Sequence, residues 1–277
     1  MEAVSLLHQH GTSAQILAGG IDLLPRMRVG STRADHVISI QNIPELCYIN
    51  TDTETGLEFG AMVTLHTLER LAEIRQAYPI LHEAIHQITS VQSKCMGTAV
   101  GNICVATPAS DVATVLMALN AELIILGVNG PRRECIANFY TGYRRTTLDR
   151  GEFVIGVSVP MAEGGQGDAF INLVRTHADI AKVTVAVALV IRDGVCINAR
   201  IALGAVGPLV IRAYAAEEAF VGRKLNDKLI SIVAAIAAEH TSPITDFRST
   251  DVYRREMVRV LVDRALKNAI ARSERRQ

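Results

Sequence analysis

Apolar positions along this chain switch between helical and strand spacing, with glycine and proline marking the changes. Val4, Leu6 and Leu7 form the apolar side of a short helix that Gly11 should stop. "QILAGG" (15–20) reads as a brief buried strand running straight into two glycines. "LLPRMRVGSTRADHVISI" is punctuated by Pro25 and Gly30 and predicts a second strand at 37–40. A strand pair is expected at 47–50 and 57–60, and helices over 65–75 and 80–88. After the small-residue stretch "GTAVGNICVATPASD" (97–111), Val112, Val115, Leu116 and Leu119 fall on one helix face. Ser110 is placed as the cap of that helix. Asp111 sits in its first turn, where the helix dipole favours negative charge.

"AELIIL" and "EFVIGVSVP" (152–160) read as further strands. "AEGGQGD" (162–168) separates two strand-like stretches and is the expected boundary between residues 1–163 and 164–277. Beyond it, "KVTVAVALVIRDGVCINARIAL" is a β-hairpin pattern, with Asp193-Gly194 as the dipeptide of a type I′ turn. Helices follow at 212–221, 227–239 and from about 250, the last with Tyr253, Met257, Val260, Leu261 and Ala265 as its apolar face. Short strands mixed with helices, without regular βαβ alternation, predict an α+β fold.

Composition narrows the chemistry. Lys+Arg and Asp+Glu both number 28, so nothing attracts the chain generally to nucleic acid or an anionic membrane. The longest apolar runs fall short of the roughly 20 residues of a membrane-spanning helix. The opening residues have helix spacing rather than a leader pattern, so a cytoplasmic location is expected. Five dispersed cysteines without a CxxC pair make a cluster or structural zinc within this chain unexpected. His82 and His86 are four apart on one expected helix but lack a third ligand, so no metal is assigned to them.

The two glycine stretches share a design. A loop without Cβ atoms can bring several N–H groups close to a phosphate, and a helix N-terminus adds further donors. No P-loop and no GxGxxG fingerprint is present. Neither turn contains Arg or Lys, so a bound diphosphate would rest on backbone donors and hydroxyls.

The runs "ILAGGIDLLPRMRVG" and "GTAVGNICVATPASD" resemble the FAD-binding (medium) subunit of the molybdenum hydroxylases, the xanthine dehydrogenase and aerobic carbon monoxide dehydrogenase family. The likeness continues through "FYTGYRRTTLDRGEFVIGVSVP", "RTHADIAKV", "LGAVGPLVIRA" and "DFRSTDVYRREM", and so covers nearly the whole chain in order. It implies a two-lobed FAD-binding domain of the PCMH type, then a smaller C-terminal domain of hairpin and helices that closes over the cofactor. It also implies site residues. Leu17, Ala18, Gly19, Gly20, Ile21, Asp22 and Leu23 would surround the FAD diphosphate. Thr98, Gly101, Asn102 and Cys104 would form a second loop beside the flavin and its phosphates, and Ser110 and Asp111 would hold the ribityl or ribose end. Phe153 and Val154 would line the pocket for the flat rings, and residues 175–182 would pass near the flavin.

No catalytic acid or base in this chain is implied, because the flavin carries the redox chemistry. Two partner chains are implied, a large molybdenum-binding subunit and a small [2Fe–2S] subunit, with NAD or another acceptor taking the electrons. Ile21 stands where the family often has Thr, and Val100 where a second glycine is usual. Two other readings stay open: a stand-alone flavin oxidase, and a non-redox assembly protein whose nucleotide site has decayed.

Overall fold

A parallel strand pair opens the fold. In the computed structural model, which describes residues 2–52, 54–176 and 179–276, α1 (Glu2–His10) buries Ala3, Val4 and Leu7 and leads into β1 (Ala14–Leu17). The chain turns at Gly19-Gly20, forms α2 (Leu23–Arg28) and returns as β2 (His36–Ser39), parallel to β1. Parallel neighbours need a crossover, and α2 lies on it. The sequence predicts no helix here because of Pro25. That proline occupies the first helical turn, where its missing N–H would have no intrahelical partner anyway.

The second lobe begins with β3 (Ile49–Asp52) and β4 (Gly56–Gly60). Short helices follow: α3 (Leu65–Arg70), α4 (Ala72–Ala77), α5 (Pro79–Gln87), α6 (Val91–Met96), α7 (Ala99–Cys104) and α8 (Asp111–Ala118). Next come β5 (Glu122–Gly127), β6 (Gly130–Cys135), α9 (Ile136–Phe139), a ribbon of β7 (Tyr140–Gly142) and β8 (Arg145–Thr146), and β9 (Phe153–Val159). The antiparallel sheet runs in the order β3-β4-β9-β5-β6. The single helix expected over 65–75 is split, because Leu71 is extended with ψ 123°. The sequence predicts no helix between 89 and 110, yet two form there. Each is capped by a hydroxyl, Ser90 for α6 and Thr98 for α7, which pairs an N–H left over in the first turn.

The third unit is the antiparallel sheet of β10 (Gln166–Leu173), β11 (Val183–Arg192), β12 (Val195–Gly204) and β13 (Ile211–Arg212). With it pack α10 (Tyr214–Phe220), α11 (Asp227–Glu239) and α12 (Asp251–Glu274). Asp193 and Gly194 both have positive φ, 52° and 71°, as a type I′ turn requires. On α12 the buried stripe is Arg254, Val258, Leu261, Val262, Ala265, Leu266 and Ala269, rotated from the expected one, and Tyr253 is exposed. The rotation follows from Arg254, whose guanidinium donates to the carbonyls of Lys182 (2.7 Å) and Ala205 (3.1 Å) and to Asp246 (2.8 Å). A buried guanidinium needs such partners, and on this side it finds three.

α8 joins the two parts. Instead of one apolar face, every residue from Val112 to Ala118 is buried. One side meets the N-terminal core, and Ala186 of β11 and Ala202 of β12 extend that core from the C-terminal sheet. A helix apolar all round is one enclosed all round. For the same reason β11 is buried over 183–191 and reads as a continuous apolar run rather than an alternating one. Polar contacts fix both ends of α8. Asp111 accepts from Thr184 Oγ1 (2.7 Å) and Asn172 Nδ2 (3.2 Å), and Arg200 Nε donates to the Ala118 carbonyl (2.9 Å).

Candidate functional site

The turn after β1 lies directly on the turn before α7. A Cβ built on Gly19 would stand 1.9 Å from the Met96 carbonyl oxygen and 3.1 Å from Gly97 Cα. Gly20 has φ +74°, a backbone region that side chains disfavour. The two loops therefore touch main chain to main chain, which is open to them only because residue 19 has no side chain.

Around this contact is a cleft of about 770 Å³, within the roughly 300–1,000 Å³ of small-molecule sites. Ala18, Gly19, Gly20, Ile21, Asp22 and Leu23 line it from the first loop, Thr98, Gly101, Asn102 and Cys104 from the second, and Phe153 and Val154 from β9. Three expected residues do not. Leu17 ends β1, and its carbonyl accepts the Ile40 N–H. Ser110 caps α8, its Oγ accepting the Ala113 N–H (3.0 Å) while its hydroxyl donates to Asn102 Oδ1. Ser110 thus reaches the cleft only through Asn102. Asp111 faces the C-terminal sheet, where burial pushes its carboxyl above the usual range against the opposing effect of the Thr184 and Asn172 hydrogen bonds.

The sequence reading also has the C-terminal domain closing over the cofactor. All lining residues fall between Leu7 and Val154, and no described residue of 175–182 is among them; His177 and Ala178 lie outside the described residues. The C-terminal sheet packs on α8 instead.

Sequence reasoning missed the charged side chains. The turns themselves hold no cation, but Arg26 from α2 and Arg144 from the β7–β8 turn both line the cleft and both bind Asp22. Arg144 does so through two nitrogens, each at 3.1 Å, and Arg26 through one at 3.1 Å. Partial burial alone would raise the Asp22 carboxyl, but these guanidinium groups outweigh it and hold it below the ordinary carboxylate range. The i, i+4 spacing of Asp22 and Arg26 is legible in sequence. Nothing local announces Arg144.

The second loop is pre-set by α7. Thr98 Oγ1 accepts the Gly101 N–H at 2.9 Å. Asn102, its Oδ1 taken by Ser110, keeps its amide N–H groups as donors. Burial pushes the Cys104 thiol up to about 12, so it stays neutral. The combination of glycine backbone, amide and hydroxyl donors, nearby guanidinium groups and an apolar wall of Phe153, Val154 and Val100 fits a nucleotide carrying a diphosphate and flat rings.

Elsewhere, the rings of His82 and His86 stack at 5.8 Å, and His86 Nδ1 bonds Glu69 (2.9 Å). Among the described residues no group of three or more His, Cys, Asp or Glu is placed to hold a metal. Among them, too, no helix is long and apolar enough to cross a membrane.

Comparison with known proteins agrees with this chemistry. The family described as "FAD binding domain in molybdopterin dehydrogenase" matches residues 1–162, and "CO dehydrogenase flavoprotein C-terminal domain" matches residues 168–269. The glyceraldehyde dehydrogenase medium chain of Sulfolobus acidocaldarius is 32% identical over 91% of this chain and 89% of its own. The carbon monoxide dehydrogenase medium chain of Afipia carboxidovorans is 30% identical over 99% of this chain and 94% of its own. A solved structure of carbon monoxide dehydrogenase from Hydrogenophaga pseudoflava superposes with a TM-score of 0.94 at 33% identity, covering 98% of this chain and 94% of that one. With both domains matched in order and a cleft suited to a dinucleotide, the chain belongs to the FAD-binding, medium-subunit family of the molybdenum hydroxylases.

Proposed function

We propose that this chain is the electron-transferring flavoprotein subunit of a three-part molybdenum hydroxylase, with the diphosphate of FAD held between the loops 17–23 and 97–104. The observation that carries the reading is the main-chain contact of Gly19 with Met96 and Gly97, which brings both loops to one cleft. Bound FAD supplies the exchange between one-electron centres and a two-electron acceptor. The residues of this chain bind and orient it. Backbone N–H groups of the first loop and the Asn102 amide face the phosphates, while Phe153 and Val154 give the rings an apolar wall that excludes water. Residues 1–163 carry the cleft, and 164–277 brace it through α8. Leu17 supports the loop as the end of β1, and Ser110 orients Asn102.

The partners are a large molybdenum-binding subunit and a small [2Fe–2S] subunit, and the acceptor is NAD or another small redox carrier. Support comes from relatives named as medium chains and subunits of dehydrogenases. The test is direct. The full chain, purified under native conditions, is expected to be yellow, to release FAD on denaturation and to bring down two further chains, one carrying molybdenum and one iron. Flavin without those chains would favour a stand-alone flavin protein. A colourless chain that takes up no FAD would refute the reading.

A further inference from the structure

Arg144 is tied to both phosphate-facing loops at once. Its guanidinium makes the two 3.1 Å bonds to Asp22 in the first loop. Its backbone N–H donates at 2.8 Å to the carbonyl of Ala106, just beyond α7 of the second. Both residues of that backbone bond have positive φ, 56° at Arg144 and 51° at Ala106. Neither is glycine, so each conformation is held against its own preference by the surrounding contacts. Strained residues of this kind persist where their placement is over-determined, and of these two Arg144 lines the cleft.

Charge makes the placement specific. Asp22 lies in the loop that would wrap a diphosphate, and an unpaired carboxylate there would repel it. Arg144 and Arg26 both bind that carboxylate, leaving the cluster with one net positive charge in a site whose loops contain no cation. Arg144 is also partly buried, with its cationic form favoured by the Asp22 hydrogen bonds.

Building on the FAD reading above, we propose that Arg144 is the positioning residue for the diphosphate: its backbone is anchored to Ala106 beside the second loop, and its guanidinium offsets the charge of Asp22. A mere structural tie and this role differ in what Asp22 should do. If the pair were only a tie, cutting it from either end would weaken FAD binding alike. If Arg144 offsets a repulsive carboxylate, removing the carboxylate should help rather than harm.

The experiment is equilibrium titration of the flavin-free full chain with FAD, at low and high salt, for wild type, Arg144→Gln, Asp22→Asn and the double variant. Arg144→Gln is expected to weaken FAD binding about tenfold or more and to flatten its salt dependence. Asp22→Asn should bind FAD at least as tightly as wild type, and the double variant should recover most of the loss of Arg144→Gln. Melting temperatures of the flavin-free proteins confirm that all four fold. Equal weakening by Asp22→Asn and Arg144→Gln, or no effect of Arg144→Gln, overturns the proposal while wild-type FAD binding stands. Wild type that binds no FAD overturns this proposal together with the site reading. Should Arg144→Gln fail to fold, Asp22→Asn decides alone: tightened or equal binding supports the proposal and weakened binding overturns it.

Discussion

Adding one methyl group at Gly19 should separate the two loops and release the cofactor. A Cβ there would sit 1.9 Å from the Met96 carbonyl oxygen and 2.8 Å from its carbon, whereas real contacts stay beyond 3.0 Å. The obstacle is backbone on both sides and cannot rotate away, so the loops must part by at least about 1 Å. Overpacking against unyielding neighbours costs about 1–3 kcal/mol of stability. For the ligand the loss is of another kind. Donors displaced by that distance give up a charge-assisted hydrogen bond worth about 1.5–3 kcal/mol, and each 1.4 kcal/mol is about tenfold in Kd. Gly19→Ala is therefore expected to weaken FAD binding by about 10- to 100-fold, read by flavin fluorescence during titration of the flavin-free chain. Gly164→Ala is the matched control, since a Cβ there meets nothing within 4 Å. Wild-type affinity and melting temperature in Gly19→Ala would show that the loops do not need their main-chain contact, and the argument for the site would fail with it.

Other residues make separable predictions. Thr98→Ala removes the cap of α7 and should cost about 1 kcal/mol of stability, lowering the melting temperature and weakening FAD binding, whereas Thr98→Ser should preserve both. Asp111 is a carboxyl whose folded pKa is raised by burial above its ordinary value. Its stabilising contribution is therefore full below that value and is lost as pH rises through the folded pKa. Asp111→Asn should gain stability relative to wild type as pH rises out of the ordinary carboxylate range, and a pH-independent difference in melting temperature would contradict the burial argument. With its thiol pushed up to about 12, Cys104 should resist iodoacetamide at neutral pH while the exposed Cys47 and Cys95 react. Peptide mass mapping distinguishes them.

What could be read from the sequence follows from how local its cause is. Asp193-Gly194 between β-branched runs specifies its hairpin because the turn and both strands lie within one stretch. α11 spans the predicted 227–239 because periodicity and the Asn226 cap agree. The glycine loops could be recognised because a missing Cβ is itself a sequence feature. The short helices α2, α6 and α7 could not, since a six-residue helix draws its stability from caps and tertiary burial more than from propensity. The burial of α8 on all sides depends on a sheet that begins some fifty residues later. Arg144 joins Asp22 across 122 residues, which only the folded chain reveals. That Ser110 and Asp111 lie outside the cleft lining could not be read for a related reason: a good cap and a first-turn acid describe a helix start, not what the helix start faces.

The enclosure of α8 bears on how the protein can move. One end of that helix anchors Asn102 through Ser110, and it is packed between the N-terminal core and Ala186 and Ala202 of the C-terminal sheet, so swinging that sheet would drag the cleft with it. Breathing of the cleft must then come from the loops and the β7–β8 ribbon, and hydrogen exchange should find slow amides along α8 where a hinge would give fast ones.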